Sequence, residues 1–249
     1  MRGDAVPKKT RCVPGQDRLS EWFVPRRGPL RVRVAIGLLF LPYTGMVLSY
    51  TVIGGTLART IAWDRVGALL FVYFVGLGIG AHALDALGSA GPKPWGEHLS
   101  WRGLWIAVAA SLVFSYSIIG YYAIRFAPWF GAIMVVEGFF AFAYNLEWFR
   151  GRFHTDGWFA LSWGALPVLA GHALQTNRIS VPSLIVACAT AALSLVEITA
   201  SRPYKALKRM AERTEEQDDL IARYERILKS VSLGVIGLGA GLAFWRLAL

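Results

Sequence analysis

Charge is scarce in this chain. Asp, Glu, Lys and Arg make up 17% of its 249 residues, against 55% hydrophobic residues and a mean hydropathy of +0.45. So little charge over this length excludes an ordinary soluble domain and points to a polytopic membrane protein. Cysteine is almost missing: Cys12 sits in a basic tail and Cys188 in an apolar run. Settings that different argue against a disulfide between them, and no metal-type Cys/His spacing occurs. Short alternating segments, the mark of a barrel, are absent too. The apolar runs have the length a spanning helix needs, and backbone polar groups in hydrocarbon must be satisfied internally, so the expected fold is an all-α membrane bundle.

What is present is a series of seven apolar segments, near residues 32–55, 65–87, 103–123, 127–145, 157–175, 179–199 and 229–248. They predict one transmembrane domain over residues 31–249, preceded by a basic, Pro-rich tail over residues 1–30. The tail lacks the apolar core of a cleavable signal, so the first segment is expected to remain as an anchor. The stretch "SRPYKALKRMAERTEEQDDLIARYERILKS" carries both signs at helical spacing and predicts a charged surface helix over about 202–228.

The net charge of +10 raises the question of a nucleic-acid partner, which the placement of charge answers. With the N-terminus in the cytosol, 21 of the 26 basic residues fall on the cytosolic side; Arg59, Arg65, Arg125, Arg178 and Arg246 are the remainder. This asymmetry predicts an integral protein of the cell's inner (plasma) membrane with a cytosolic N-terminus, touching anionic membrane lipids and no nucleic acid.

In that orientation the second, fourth and sixth segments all run toward the cytosol. They end at His82 and Asp85, at Tyr144, Asn145 and Glu147, and at Glu197. The loops after them add Lys93, Glu97, His98, Arg150, Arg152, His154 and Asp156. Ionisable groups at membrane depth cost several kcal/mol unless paired or hydrated, so their concentration at one end predicts a polar cavity open to that side. His82 and Asp85, at i and i+3, share one helix face about 5–6 Å apart at Cβ. They fit a shared ligand, a shared proton or a solvated helix end equally well. Glu137, in the middle of the fourth segment, calls for a partner or water; a hydrogen bond between helices is the plainest one. His172 lies at the opposite end and reads as structural.

These residues resemble the UbiA superfamily of intramembrane aromatic prenyltransferases. In "AHALDALGSAGPKPWGEHLSWRGLW", Ala81, His82 and Asp85 stand where the family has the N-D-x-x-D motif at the cytosolic end of its second helix. "KPWGEHLSWRGL" is similar to the basic loop that follows, "FAYNLEWFRGRFHTDGWFALSWGALPVLAGHA" to the stretch after helix four, and "LPYTGMVLSYTVIGG" to the first helix. The resemblance runs from residue 33 to about 200. It implies a UbiA-like bundle acting on a prenyl diphosphate or another isoprenoid lipid, with Mg²⁺ as a possible cofactor held by Asp85 and Glu197. It further implies catalytic roles for His82, Asp85, His154 and Asp156, and diphosphate contacts from Lys93, Tyr144, Asn145, Arg150 and Arg152. His82 replaces the family's first Asp, Glu197 alone answers its second Asp-rich motif, and the bundle has two fewer spans than the family's usual nine. The open alternative is a non-catalytic relative that binds an isoprenoid, quinone or pigment, or serves as a subunit of a membrane complex.

Overall fold

The computed structural model describes Leu19 and residues 21–88, 98–210 and 212–249; among them the chain is helical and contains no strand. The described residues form seven rods: α1 (Leu30–Thr56), α2 (Trp63–Gly88), α3 (Trp101–Arg125), α4 (Pro128–Asn145), α5 (residues 156–176), α6 (Val181–Lys208) and α7 (Glu215–Leu247). Five of them, α1, α2, α3, α6 and α7, are long and apolar enough to cross a membrane. α4 is shorter, at 18 residues, and carries Glu137. Outward-facing Ile106, Val113, Phe114 and Ile124 on α3, with Leu233, Leu238 and Phe244 on α7, form an apolar exterior. Such a surface suits acyl chains rather than water.

Successive rods run antiparallel, as contacts at the two ends show. At one end the Ala62 amide donates to Gln175 Oε1 at 2.8 Å, Arg65 donates to the Leu174 carbonyl, and Arg246 donates to the Ala58 and Arg59 carbonyls. His172 meets the Ser180 hydroxyl at 3.1 Å beside the N-cap of α6, which matches its structural reading. The other end, here called the basic end, gathers the start of α1 and the C-terminal ends of α2, α4 and α6.

Two backbone approaches set the spacing of the rods. A Cβ at Gly54 would overlap the Val168 carbonyl, and one at Gly171 would overlap that of Thr51, so α1 and α5 touch backbone to backbone. Small residues at such crossings let helices gain the packing that a bilayer does not supply by hydrophobicity. The same device brings Gly88, at the end of α2, against the Asn145 carbonyl at the end of α4.

Three rods depart from regular α-helix. Phe40 adopts a left-handed conformation (φ 43°) that bends α1 just ahead of Pro42. Pro42 has no N–H to give to the preceding turn, the Tyr43 amide donates to the Phe40 carbonyl, and the Leu39 carbonyl accepts from the Thr44 hydroxyl at 2.7 Å. α2 widens to a π-helix over Phe74–Ala81, and α5 does so over Leu161–Ala165. All three irregularities lie toward the same cavity.

The charged stretch does not form a separate surface helix over 202–228. α6 runs through Pro203 to Lys208, and a new helix starts at Glu215 and continues unbroken into the last apolar segment. Thr214 and Gln217 form a reciprocal capping box there, and Glu215, Glu216 and Asp218 suit the positive end of the helix dipole.

Candidate functional site

The ends of α2, α4 and α6 do meet. A cavity of about 160 Å³ at the basic end is lined by His82 and Asp85 from α2, Tyr144 and Asn145 from α4, His154 from the loop before α5, and Glu197, Ser201, Arg202 and Lys205 from α6. Its apolar wall comes from the irregular segments: Phe40 and Tyr43 at the bend of α1, Leu77 and Ala81 from the first π-helix, and Phe159 and Trp163 in and beside the second. A π-turn shifts the register of every later side chain, a common way for a helix to aim residues at a functional site.

The aromatic side chains form a connected series. Phe40 meets His82 edge-on at 5.9 Å between ring centroids, Tyr43 stacks on Phe159 at 5.1 Å, and Tyr144 stacks on His154 at 4.4 Å. Each histidine is oriented by a carbonyl. His82 Nδ1 lies 3.1 Å from the Gly78 oxygen, and His154 Nδ1 lies 3.0 Å from the Tyr144 oxygen. A carbonyl only accepts, so a neutral ring in either place carries its proton on Nδ1. For His154 this puts the lone pair on Nε2.

The loop that delivers His154 is unusual. Glu147, Phe149 and Arg150 all have positive φ (52°, 57° and 60°), as does Gly151. Left-handed conformations at bulky residues cost free energy that the surrounding contacts must offset. Here the loop folds back under the end of α4, fixed by the amide of Trp148 on the Ala143 carbonyl and that of Gly151 on the Glu147 carbonyl.

The charged side chains are both paired and incomplete. Arg202 Nε lies 2.8 Å from Asp156 Oδ1 and also bonds the Tyr144 hydroxyl. Lys205 stands over the Phe40 ring at 4.7 Å and its charge acts on Glu197. Glu197 is 4% exposed, yet its Oε2 has no hydrogen-bond partner among the described residues, and the buried Tyr43 hydroxyl has none either. Two unsatisfied polar atoms beside one cavity are what a ligand's polar head would complete.

Several expected residues take other places. Asp156 does not line the cavity; it anchors Arg202, which does. Arg150 and Arg152 are exposed and do not line the cavity. Lys93 and Glu97 fall outside the described residues. The cations that do line the cavity, Arg202 and Lys205, fall in the stretch expected as a charged surface helix over about 202–228, which set them apart from the sixth apolar segment. Continued through Pro203, α6 carries Glu197, Ser201 and Lys205 at i, i+4 and i+8 on one stripe, a pattern present in "EITASRPYK".

A resident Mg²⁺ does not fit this donor set. The ion demands near-octahedral oxygen ligation, usually through carboxylates and water. Among the described residues no group of three or more His, Cys, Asp or Glu is arranged to hold a metal. Asp85 and Glu197 share the cavity with Arg202 and Lys205, so protein cations stand where the resemblance implies metal ions. No protein-family model, no curated protein and no solved structure matches the chain.

Proposed function

We propose that the chain is a UbiA-like intramembrane prenyltransferase acting on an isoprenoid diphosphate at its basic, cytosolic end. The observation that carries this reading is the cavity itself. Two cations, a buried unsatisfied carboxyl and two carbonyl-oriented histidines occupy one mouth, and aromatic and aliphatic side chains continue inward.

The division suits an amphiphile with a charged head and a hydrocarbon tail. Arg202 and Lys205 face the diphosphate, and Tyr144 and Asn145 add hydrogen-bonding groups. As the bond from the prenyl C1 carbon to the diphosphate oxygen breaks, its electron pair leaves with the diphosphate, whose charge the two cations stabilise. The allylic cation left behind is flanked by Tyr43, Phe159 and Trp163, whose ring faces attract positive charge. An acceptor then bonds to C1 and loses a proton to a base. In this reading His154 Nε2 takes the proton, supported by the bond that fixes its Nδ1 on the Tyr144 carbonyl, and His82 lines the same cavity. Mg²⁺ enters this proposal only as the counter-ion carried by the diphosphate substrate.

The small number of carboxylates favours a second reading, in which the same cavity holds an isoprenoid lipid without reacting. One experiment separates the two. Purified protein in detergent is incubated with geranylgeranyl diphosphate and a panel of aromatic acceptors, with and without Mg²⁺, and both bound lipid and released pyrophosphate are measured. Release that disappears in Arg202→Ala and Lys205→Ala supports the enzyme. Binding with no release supports the non-catalytic relative, and no binding at all contradicts both.

A further inference from the structure

A second cavity, of about 60 Å³, lies between α2, α3 and α4 and takes no part in the site above. The two cavities share only Leu77 and Trp163, which form the partition between them. The walls of the second are mostly apolar; among the polar groups that line it, Glu137, 4% exposed, accepts a 2.6 Å hydrogen bond from the Tyr73 hydroxyl at Oε1. Among the described residues no hydrogen bond reaches Glu137 Oε2. The other hydroxyls at the cavity donate to backbone: Ser115 to the Val72 carbonyl at 3.4 Å and Tyr116 to the Met134 carbonyl at 3.3 Å.

Tyr116 is 39% exposed, and its neighbours Val113, Val135 and Val136 form part of the apolar exterior. The cavity thus reaches the lipid-facing surface of the bundle, so whatever enters from that side is lipid-soluble. A single bound water does not account for it. Such a water needs only about 10–15 Å³, whereas this space is several times larger. A charged head is equally unsuited, since nothing cationic lines the cavity and burial of an unpaired charge at this depth is costly.

We propose that this cavity binds a neutral lipid alcohol, its hydroxyl hydrogen-bonded to Glu137 Oε2 and its chain extending between α3 and α4 into the bilayer. The site stands independently of the diphosphate reading. It is tested on full-length protein in lipid nanodiscs with a diazirine analogue of geranylgeraniol as the photolabel.

Label is expected on peptides of α3 and α4 containing Leu112, Tyr116 or Met134. Excess unlabelled geranylgeraniol should reduce it at least tenfold, while the saturated hydrocarbon of the same length should leave it within twofold. The double substitution Tyr73→Phe with Glu137→Leu removes both partners of the buried bond and leaves no orphaned group, so the fold is retained; labelling should fall about tenfold. Arg202→Ala with Lys205→Ala, which disables the basic-end cavity, should leave it unchanged. Label confined to basic-end peptides, equal competition by the hydrocarbon, or full labelling of the double variant would each overturn the proposal. Because the competition needs no substitution, it decides the matter even if a variant fails to fold.

Discussion

The two ends of the bundle use the same kinds of side chain to opposite effect. Away from the basic end, His172, Gln175, Arg65 and Arg246 each hydrogen-bond a neighbouring segment, much of it backbone, and tie the rods together, with His172 Nδ1 and Arg246 Nε left without a partner among the described residues. At the basic end, His82, His154, Arg202, Lys205 and Glu197 surround an open space, and Glu197 Oε2 and the Tyr43 hydroxyl are left unsatisfied. Polar residues in a membrane protein are therefore not evidence of a site by their presence. Bonds that cross between rods mark those that hold the structure, and unsatisfied atoms point to a ligand where they border a cavity, as Glu197 Oε2 and the Tyr43 hydroxyl do.

Substitutions can break this contrast. The largest effect is expected from Gly171→Val, which drives a side chain into the Thr51 carbonyl where α1 and α5 cross. The loss should exceed about 3 kcal/mol, read as absence of a monodisperse peak in detergent. Next comes Arg202→Ala. It should weaken binding of geranylgeranyl diphosphate at least tenfold while the thermal midpoint stays nearly constant, because Arg202 and Asp156 are both partly exposed and such pairs contribute little to stability.

Arg246→Ala should give the reverse pattern. Removing a cation that donates to the Ala58 and Arg59 carbonyls costs about 1.5–3 kcal/mol, visible as a lowered thermal midpoint with lipid binding unaltered. The smallest effect is expected from Arg150→Ala and Arg152→Ala. These exposed side chains should change stability by under about 0.5 kcal/mol and binding by less than twofold. A large binding loss from either would return them to the site they do not line.

The order of the rods was legible in the sequence because apolar length and short polar breaks are strong signals; the first five apolar segments became helices close to their expected limits, whereas the sixth runs on to Lys208 and the seventh begins at Glu215, well before its apolar part. Convergence of His82, Asp85, Tyr144, Asn145, His154 and Glu197 was legible for a related reason: alternating direction puts every second helix end on one side. The bend at Phe40 and the π-helices at Phe74–Ala81 and Leu161–Ala165 were not legible. Within a uniformly apolar run, one inserted residue leaves no periodic trace. Arg202 and Lys205 lie where apolar composition gives way to charge, which divided them from the sixth apolar segment, whereas α6 continues through Pro203 to Lys208. The left-handed turn at Glu147, Phe149 and Arg150 gave no warning either, since none of the three is a residue type that favours positive φ.

The claim on which the account rests is that the basic-end cavity is a water-accessible ligand site and not a packing void. The most direct measurement places a cysteine at Ser201, which lines the cavity, in a background with Cys12 and Cys188 replaced by serine. In sealed vesicles its reaction with a small charged thiosulfonate is followed from each side, with and without geranylgeranyl diphosphate. The account predicts reaction from the side that bears the basic N-terminal tail and at least tenfold protection by the lipid diphosphate. A cysteine at Ser201 that fails to react from that side, or reacts at the same rate with the ligand present, would contradict it.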